Sequence, residues 1–491
     1  MKKVLGVLIL VAALHPAAAN DIIVTNVGYG SGAPAGAVDV KFDLSWENSW
    51  RLSWPETTNT WTNWDAAWVF IKFHEQNITF WEHATLSTNV ADHTIPGGME
   101  IEIGLTDSEG VGVFLYRAVE TNGMFSNTAI RLRWLYEGDG VESTSQVDVS
   151  VQAIEMVYIP EGSFDLGGVG SENGRYFMAS NTALTYRITS EAAVTMSSSN
   201  GLWGSSGASG NAGVAPVDPT NIPAAYPKGY AAIYCMKHEI SQGQYADFLN
   251  KLTPAQISNR FPNYNGLVRH TISNSPSGYI ATRPARACNN LSWADVAAYL
   301  DWAGLRPMTE LEYEKTCRGD ALTVANEYAW GLNTIMGTTP YLSGTEDGTE
   351  TVTTDTSLGA CRWANTSVSG GDGGSGPLRC GIFATVASER ADAGGTYWGV
   401  LEMSGNVAER AISTGRSGGL AFTGEHGDGT LDSGGQADVP GWPGTSASGA
   451  GFRGGGYPDA GYLRTADRTH AAYSHSARNP SYGGRGVRTA P

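Results

Sequence analysis

The sequence predicts an α+β protein in which an N-terminal β-sandwich precedes a loop-rich C-terminal module. Two observations carry that reading. Only 16% of the 491 residues are charged, while Gly (63), Tyr (21) and Trp (15) are abundant, a composition that suits short strands and long turns pinned by aromatic rings better than a helical bundle. Hydrophobic alternation of period two dominates the early part of the chain, and helical spacing appears only in short stretches further on.

Lys41 to Trp46 alternates, Ala67 to Phe73 is a short apolar run, and Ile130 to Trp134 alternates again, with Gly, Asn and Asp between them. This reads as a β-sandwich over 20–155. Trp46, Trp50, Trp54, Trp64 and Trp68 either fill its core or form a carbohydrate platform on one face; large aromatics bury well, and sequence alone does not show exposure.

The character changes at Met156, where a second domain is expected over 156–491, since single cores stop growing at about 250 to 300 residues. Ser197 to Asn221 is rich in Gly, Ser, Asn and Pro and reads as an exposed insertion. Three helices are expected. Ser241 caps the first, which turns Tyr245, Phe248 and Leu249 inward; Ser292 opens the second, Trp293 to Ala303, with Val296, Tyr299 and Leu300 inward; Thr309 caps a third, ending near Cys317, with Glu312 in capping-box position.

Lys2 and Lys3 precede an apolar run, Val4 to Leu14, that ends on Ala17, Ala18 and Ala19. That is the pattern of a secretory signal peptide over 1–19. The run is shorter than the ~20 residues of a spanning helix, and Asn20 and Asp21 stand where a lipoprotein needs a cysteine. The expected mature chain is therefore secreted, extracellular, surface-associated or periplasmic, without membrane insertion. A net charge of -17 disfavours nucleic acid as a partner. Cys235, Cys288, Cys317, Cys361 and Cys380 are an odd number, so an oxidising compartment leaves at least one unpaired. Cys361 and Cys380 bracket a Gly-rich loop and are the expected pair, although spacing alone does not fix connectivity.

Four segments stand out in order: Met156 to Phe164; Tyr234 to Ser241; Leu305 to Lys315; and Tyr397 to Glu409. Phe452 to Tyr457 and the closing Gly484 to Arg488 complete the series. Glu310, Glu312 and Glu314 place charge in the first turns of a helix, where the dipole favours it. Arg306, Arg453 and Arg488 are expected to satisfy buried carbonyls or carboxylates through their guanidinium forks.

Together these motifs resemble the formylglycine-generating enzyme, or sulfatase-modifying factor, superfamily over Met156 to Pro491. The resemblance implies a fold of the C-type-lectin kind. It also implies calcium as a cofactor, held by the side chains of Glu402 and Glu409 and the carbonyls of Gly405 and Val407, with a second site at Asn365 and Asp372. Carboxylates and carbonyls are the hard ligands calcium prefers.

The resemblance implies catalysis by oxidation of a substrate cysteine, using copper held by two enzyme cysteines. The matching positions here are Asp459 and Arg464. Asp459 is a hard ligand and Arg464 has no lone pair to donate, so copper is not expected. The family's serine near this turn reads Gly456, and Cys317 matches a family cysteine whose partner position is Thr489. His470 and His475 are read as surface histidines. No nucleophile elbow, phosphate loop or dinucleotide fingerprint occurs.

The functional expectation is a secreted or cell-surface binding or structural protein lacking the copper cysteines, with an unknown protein or glycan as ligand. Tyr457, Asp459, Tyr462, Arg464, Arg468 and Tyr473 are its candidate binding residues, because Tyr- and Arg-rich loops make adaptable contacts. The alternative is a sulfatase-maturing oxidase acting on the cysteine of a Cys-x-Pro-x-Arg peptide.

Overall fold

The computed structural model describes residues 22–55, 60–76, 78, 80–205, 221–264, 266–385 and 388–491. The expected signal peptide and the stretch 206–220 of the expected insertion lie outside the described residues. The first eight strands are β1 (Ile23–Tyr29), β2 (Val38–Pro55), β3 (Thr60–Glu75), β4 (Glu82–His83), β5 (Met99–Thr106), β6 (Glu109–Arg117), β7 (Thr121–Trp134) and β8 (Val147–Ile159).

Period-two patterning explains how these strands pack. Val40, Phe42, Leu44 and Trp46 of β2 point to one side, facing Phe125, Ile130 and Leu132 of β7, and the same core takes Ala67, Val69, Ile71 and Phe73 of β3. The opposite face of β3 carries Trp64, Ala66, Trp68 and Phe70 into a second core with Tyr234, Leu300 and Trp302. Burial on both faces is why Ala67 to Phe73 reads as a continuous apolar run instead of an alternating one.

β8 joins the two parts of the chain. It pairs antiparallel with β3 from Asp65↔Val157 to Glu75↔Val147, and its far edge pairs Val157 with Cys235 on the strand Ile233–Met236. That strand pairs with Gly486–Thr489, which in turn pairs with Arg306–Pro307. Among the described residues the result is one hydrogen-bonded sheet of eleven strands. The boundary expected between Glu155 and Met156 thus falls inside β8.

The outer face of the sheet is locked to the C-terminal module by side chains as well. Trp68 Nε1 donates to the Ala303 carbonyl at 2.8 Å. Arg488 lies 4.8 Å over the Trp68 ring and donates to the carbonyls of Gly304 and Leu105.

The three expected helices form as α1 (Gln242–Leu249), α3 (Trp293–Trp302) and α4 (Glu310–Arg318), capped by Ser241, Ser292 and Thr309, each in a reciprocal capping box. Such caps stabilise a helix by about 1 kcal/mol. A further helix, α2 (Pro254–Arg260), starts at Thr253 with Pro254 in its first turn and Gln256 closing the box. No described helix is long and apolar enough to cross a membrane.

The five cysteines are all unpaired and buried, so the expected Cys361–Cys380 bridge is not formed. Cys361 packs among Tyr328, Trp330 and Leu463, whereas Cys380 lies with Ala285, Ala287 and Val407. The two thiols belong to different clusters despite bracketing one loop.

Candidate functional site

The site begins with a glycine. Strand Ala450–Arg453 pairs antiparallel with Ala408–Ile412, which also carries the short strand Tyr482–Gly483 in parallel. A Cβ on Gly451 would lie 1.7 Å from the Ala471 carbonyl. Only glycine lets the segment after Arg468 lie against this strand, where Phe452 N–H donates to the His470 carbonyl at 2.9 Å.

That approach encloses a chamber of about 110 Å³ lined by Phe452, Asp459, Tyr462, Asp467, His470, Tyr473 and Tyr482. Its walls are a row of aromatic contacts: Tyr462 to His470 at 4.5 Å, His470 to Tyr473 at 5.7 Å, and Phe452 to Tyr482 at 4.1 Å between ring centroids. Behind this wall the buried Arg410 guanidinium stacks 3.9 Å from Phe452 and donates to the His475 carbonyl.

Two carboxyls and one imidazole supply the polar chemistry. Asp459 accepts the Gly456 N–H at 2.7 Å, and burial raises its pKa against the opposing effects of that bond and of His470. Burial likewise raises Asp467, whose Oδ1 accepts the Thr469 N–H at 2.9 Å. His470 is lowered by burial, although both aspartates work in the other direction. A neutral imidazole beside two buried carboxyls makes a chamber that gains by accepting positive charge.

Of the six expected binding residues, Asp459, Tyr462 and Tyr473 meet here. Tyr457 is buried beside Arg362. Arg464 turns to Asn326 Oδ1 at 3.1 Å. Arg468 is fully buried, with Nε and Nη2 on Glu310 at 2.6 and 3.0 Å and its guanidinium 3.8 Å over Tyr176. Arg468 is therefore a scaffold residue and not a contact residue.

His470, expected on the surface, lines the chamber, and His475 is tucked between Tyr473 and Tyr482. Asp467 and Phe452 were not anticipated. The signal for Asp467 was the short Asp-x-Thr spacing, which closes a local turn on its own carboxylate.

The expected calcium donors are brought together, but around other partners. Glu409 is held bidentately by Arg485, Nε at 2.8 Å and Nη2 at 2.6 Å. Burial pushes the Glu409 carboxyl up and Arg485 opposes this, while Glu409 in return raises Arg485. Glu402 accepts the Gly381 N–H at 2.6 Å with one oxygen and faces His238 Nδ1 at 3.3 Å with the other.

Gly405 is required where it stands: its φ is +88°, and a Cβ would meet the Arg362 carbonyl at 2.5 Å. Glu239 accepts the Val407 N–H at 2.9 Å and the Asn406 amide at 2.6 Å. Burial, with Glu402 and Glu409 nearby, raises its pKa well above the carboxylate range.

At the second position Asp372 binds Arg269 and Arg286, both at 2.6 Å, while Asn365 Oδ1 accepts from Ser375. Guanidinium groups hold Glu409 and Asp372, whereas Glu402 meets a backbone N–H and an imidazole. At Glu409 and at Asp372 a calcium ion would compete with an arginine for the carboxylate.

The copper positions fit no better. Asp459 is engaged by Gly456 and Arg464 by Asn326, and no cysteine lines the chamber. Burial pushes the Cys235 and Cys317 thiols up to about 12, away from the thiolate form that binds metal.

A family model described as "sulfatase-modifying factor enzyme 1-like domain" matches residues 142–490. The chain belongs to this family. The matched region opens ahead of β8 and so includes the whole strand that joins the sheet. The formylglycine-generating enzyme of Streptomyces coelicolor is 35% identical over 79 residues, 14% of this chain and 24% of that one. The chain thus matches about a quarter of that curated relative's length.

In this member of the sulfatase-modifying-factor family the arginines of the shared motifs hold the scaffold. Arg306 grips Glu312 at 2.6 and 2.9 Å. Arg453 reaches Glu314 at 2.9 Å and Glu310 at 3.3 Å, directly beneath the chamber.

Proposed function

We propose that this protein is an exported, non-oxidising member of the family, a binding protein whose C-terminal chamber accepts the tip of a basic side chain from a partner protein. The observation that carries the reading is Asp459. It stands at a position matching a copper thiolate in the family, and it faces Asp467 and His470 inside aromatic walls.

Carboxyls raised by burial are relieved by a bound cation, and aromatic faces add cation–π attraction of roughly 0.5 to 2 kcal/mol. A chamber of about 110 Å³ suits an ammonium or guanidinium tip and not a whole peptide. The lectin-like fold implied by the family resemblance accords with loops presented to a ligand. The apolar run behind Lys2 and Lys3 accords with export.

The test is a peptide array probed with the full chain. Peptides carrying Lys or Arg are expected to be retained, with retention lost in Asp459→Asn and weakened as pH falls and the two aspartates protonate. Retention indifferent to basic residues, or undiminished in Asp459→Asn, contradicts the proposal.

A further inference from the structure

A second concavity, larger than the chamber, opens between the two parts of the chain. It has a volume of about 620 Å³, and its aromatic lining joins Trp50 and Trp54 of β2 to Tyr397 and Trp398, with the Trp54 ring 6.0 and 6.1 Å from the latter two. The volume lies within the ~300 to 1,000 Å³ typical of small-ligand sites. The six tryptophans of β2 and β3 divide accordingly: Trp46, Trp61, Trp64 and Trp68 are buried, while Trp50 and Trp54 are only half-buried and line the cleft.

The chemistry of the walls selects among ligand classes. Trp50 Nε1 donates to Asn63 Oδ1 at 2.7 Å and Trp54 Nε1 to the Tyr397 hydroxyl at 3.3 Å. With both indole N–H groups engaged, the two rings offer a ligand carbon surface. A cationic ligand is disfavoured because the protein's own cations already lie over the rings: Lys237 Nζ is 4.9 Å from Trp50 and the Arg390 guanidinium 5.8 Å from Tyr397.

The floor is a closed chain of buried charges. Lys237 lies between Asp65 at 3.6 Å and Glu155 at 3.4 Å, and His238 between Glu155 at 3.4 Å and Glu402 at 3.3 Å. Around the cleft Glu47, Glu155 and Glu389 stand against Lys237, Arg379 and Arg390, a balance that favours a neutral ligand. The rim supplies planar hydrogen-bonding groups from both sides, Asn122 and Glu47 facing Arg379 and Glu389.

We infer that this cleft is a binding site for a neutral oligosaccharide, whose C–H faces pack on Trp50 and Trp54 while its hydroxyls bond the planar groups of the rim. An aliphatic ligand would leave those polar groups unpaired. The site needs both parts of the chain, which gives the N-terminal strands a role that the family resemblance does not supply. It is separate from the chamber around Asp459.

The test is tryptophan fluorescence and calorimetric titration of the full chain with neutral hexasaccharides of glucose, xylose, mannose and N-acetylglucosamine, up to about 1 mM. At least one is expected to saturate. Trp54→Ala is expected to weaken it at least about tenfold. Asn122→Ala, at an exposed position that leaves the melting temperature unchanged, is expected to weaken it measurably. Asp459→Asn is expected to leave it unaltered. Absence of saturation by every hexasaccharide, or binding that survives both Trp54→Ala and Asn122→Ala, overturns the inference.

Discussion

Arg485 grips Glu409 through two hydrogen bonds, Nε at 2.8 Å and Nη2 at 2.6 Å, with both residues buried. The same guanidinium donates to the carbonyls of Met236 and Leu401. One cation therefore ties the loop 402–409 to the strand Ile233–Met236 and to the end of the chain.

The first prediction follows from that pairing. Arg485→Ala leaves a buried carboxylate without its partner and is expected to destabilise the protein by about 3 to 5 kcal/mol in urea unfolding. Treating the unaltered protein with a calcium chelator is expected to leave the melting temperature unchanged. A clear drop on chelation would return calcium to the loop.

Glu310 predicts acid sensitivity. Burial raises its pKa, but Arg468 and Arg453 outweigh burial and hold it at about 2, against an ordinary 4.5. A depressed carboxyl pKa contributes stability that is fully present above the ordinary value and lost as pH falls toward the folded one. Stability is expected to decline between pH 4.5 and 2, and Glu310→Gln is expected to be destabilised at neutral pH with a flatter acid limb.

His238 has the opposite sign. Burial lowers its pKa, but Glu155 and Glu402 outweigh burial and leave it above the ordinary 6.5. The raised imidazole contributes stability fully present below pH 6.5 and lost as pH rises through the folded value. The difference in melting temperature between the unaltered protein and His238→Gln is expected to shrink on the alkaline side; a difference independent of pH would contradict the charged assignment.

The continuous sheet predicts cooperative unfolding. Because β8 pairs with β3 along one edge and with Ile233–Met236 along the other, calorimetry is expected to record a single transition. Trp68→Ala, at a ring buried between the two parts, is expected to cost about 3 to 5 kcal/mol. Two resolved transitions in the unaltered protein would refute the shared sheet.

Much of this was legible in the sequence because the signals were local. Ser241, Ser292 and Thr309 announced their helices through capping spacings a few residues long, and alternation in β2 and β7 marked their buried faces. The bonds of Arg306, Arg453 and Arg488 followed from guanidinium chemistry and burial.

What escaped was non-local. β8 reads like any strand, and nothing near Glu155 shows that both its edges are paired. Arg485 stands 76 positions from Glu409, so a motif that suggests a calcium ligand does not reveal the guanidinium that meets it. Cys361 and Cys380 looked paired because they flank one loop, yet their side chains join different clusters. Arg468 looked like a contact residue because it lies among tyrosines, and only the fold brings Glu310 beneath it.

The central claim is that the family scaffold persists here without thiol oxidation. It is tested most directly by incubating the full chain with copper(I), oxygen and a Cys-x-Pro-x-Arg peptide and following the peptide by mass spectrometry. The account predicts that the peptide keeps its thiol mass apart from the slow oxidation seen without protein. Catalytic conversion of the cysteine to the aldehyde would contradict it.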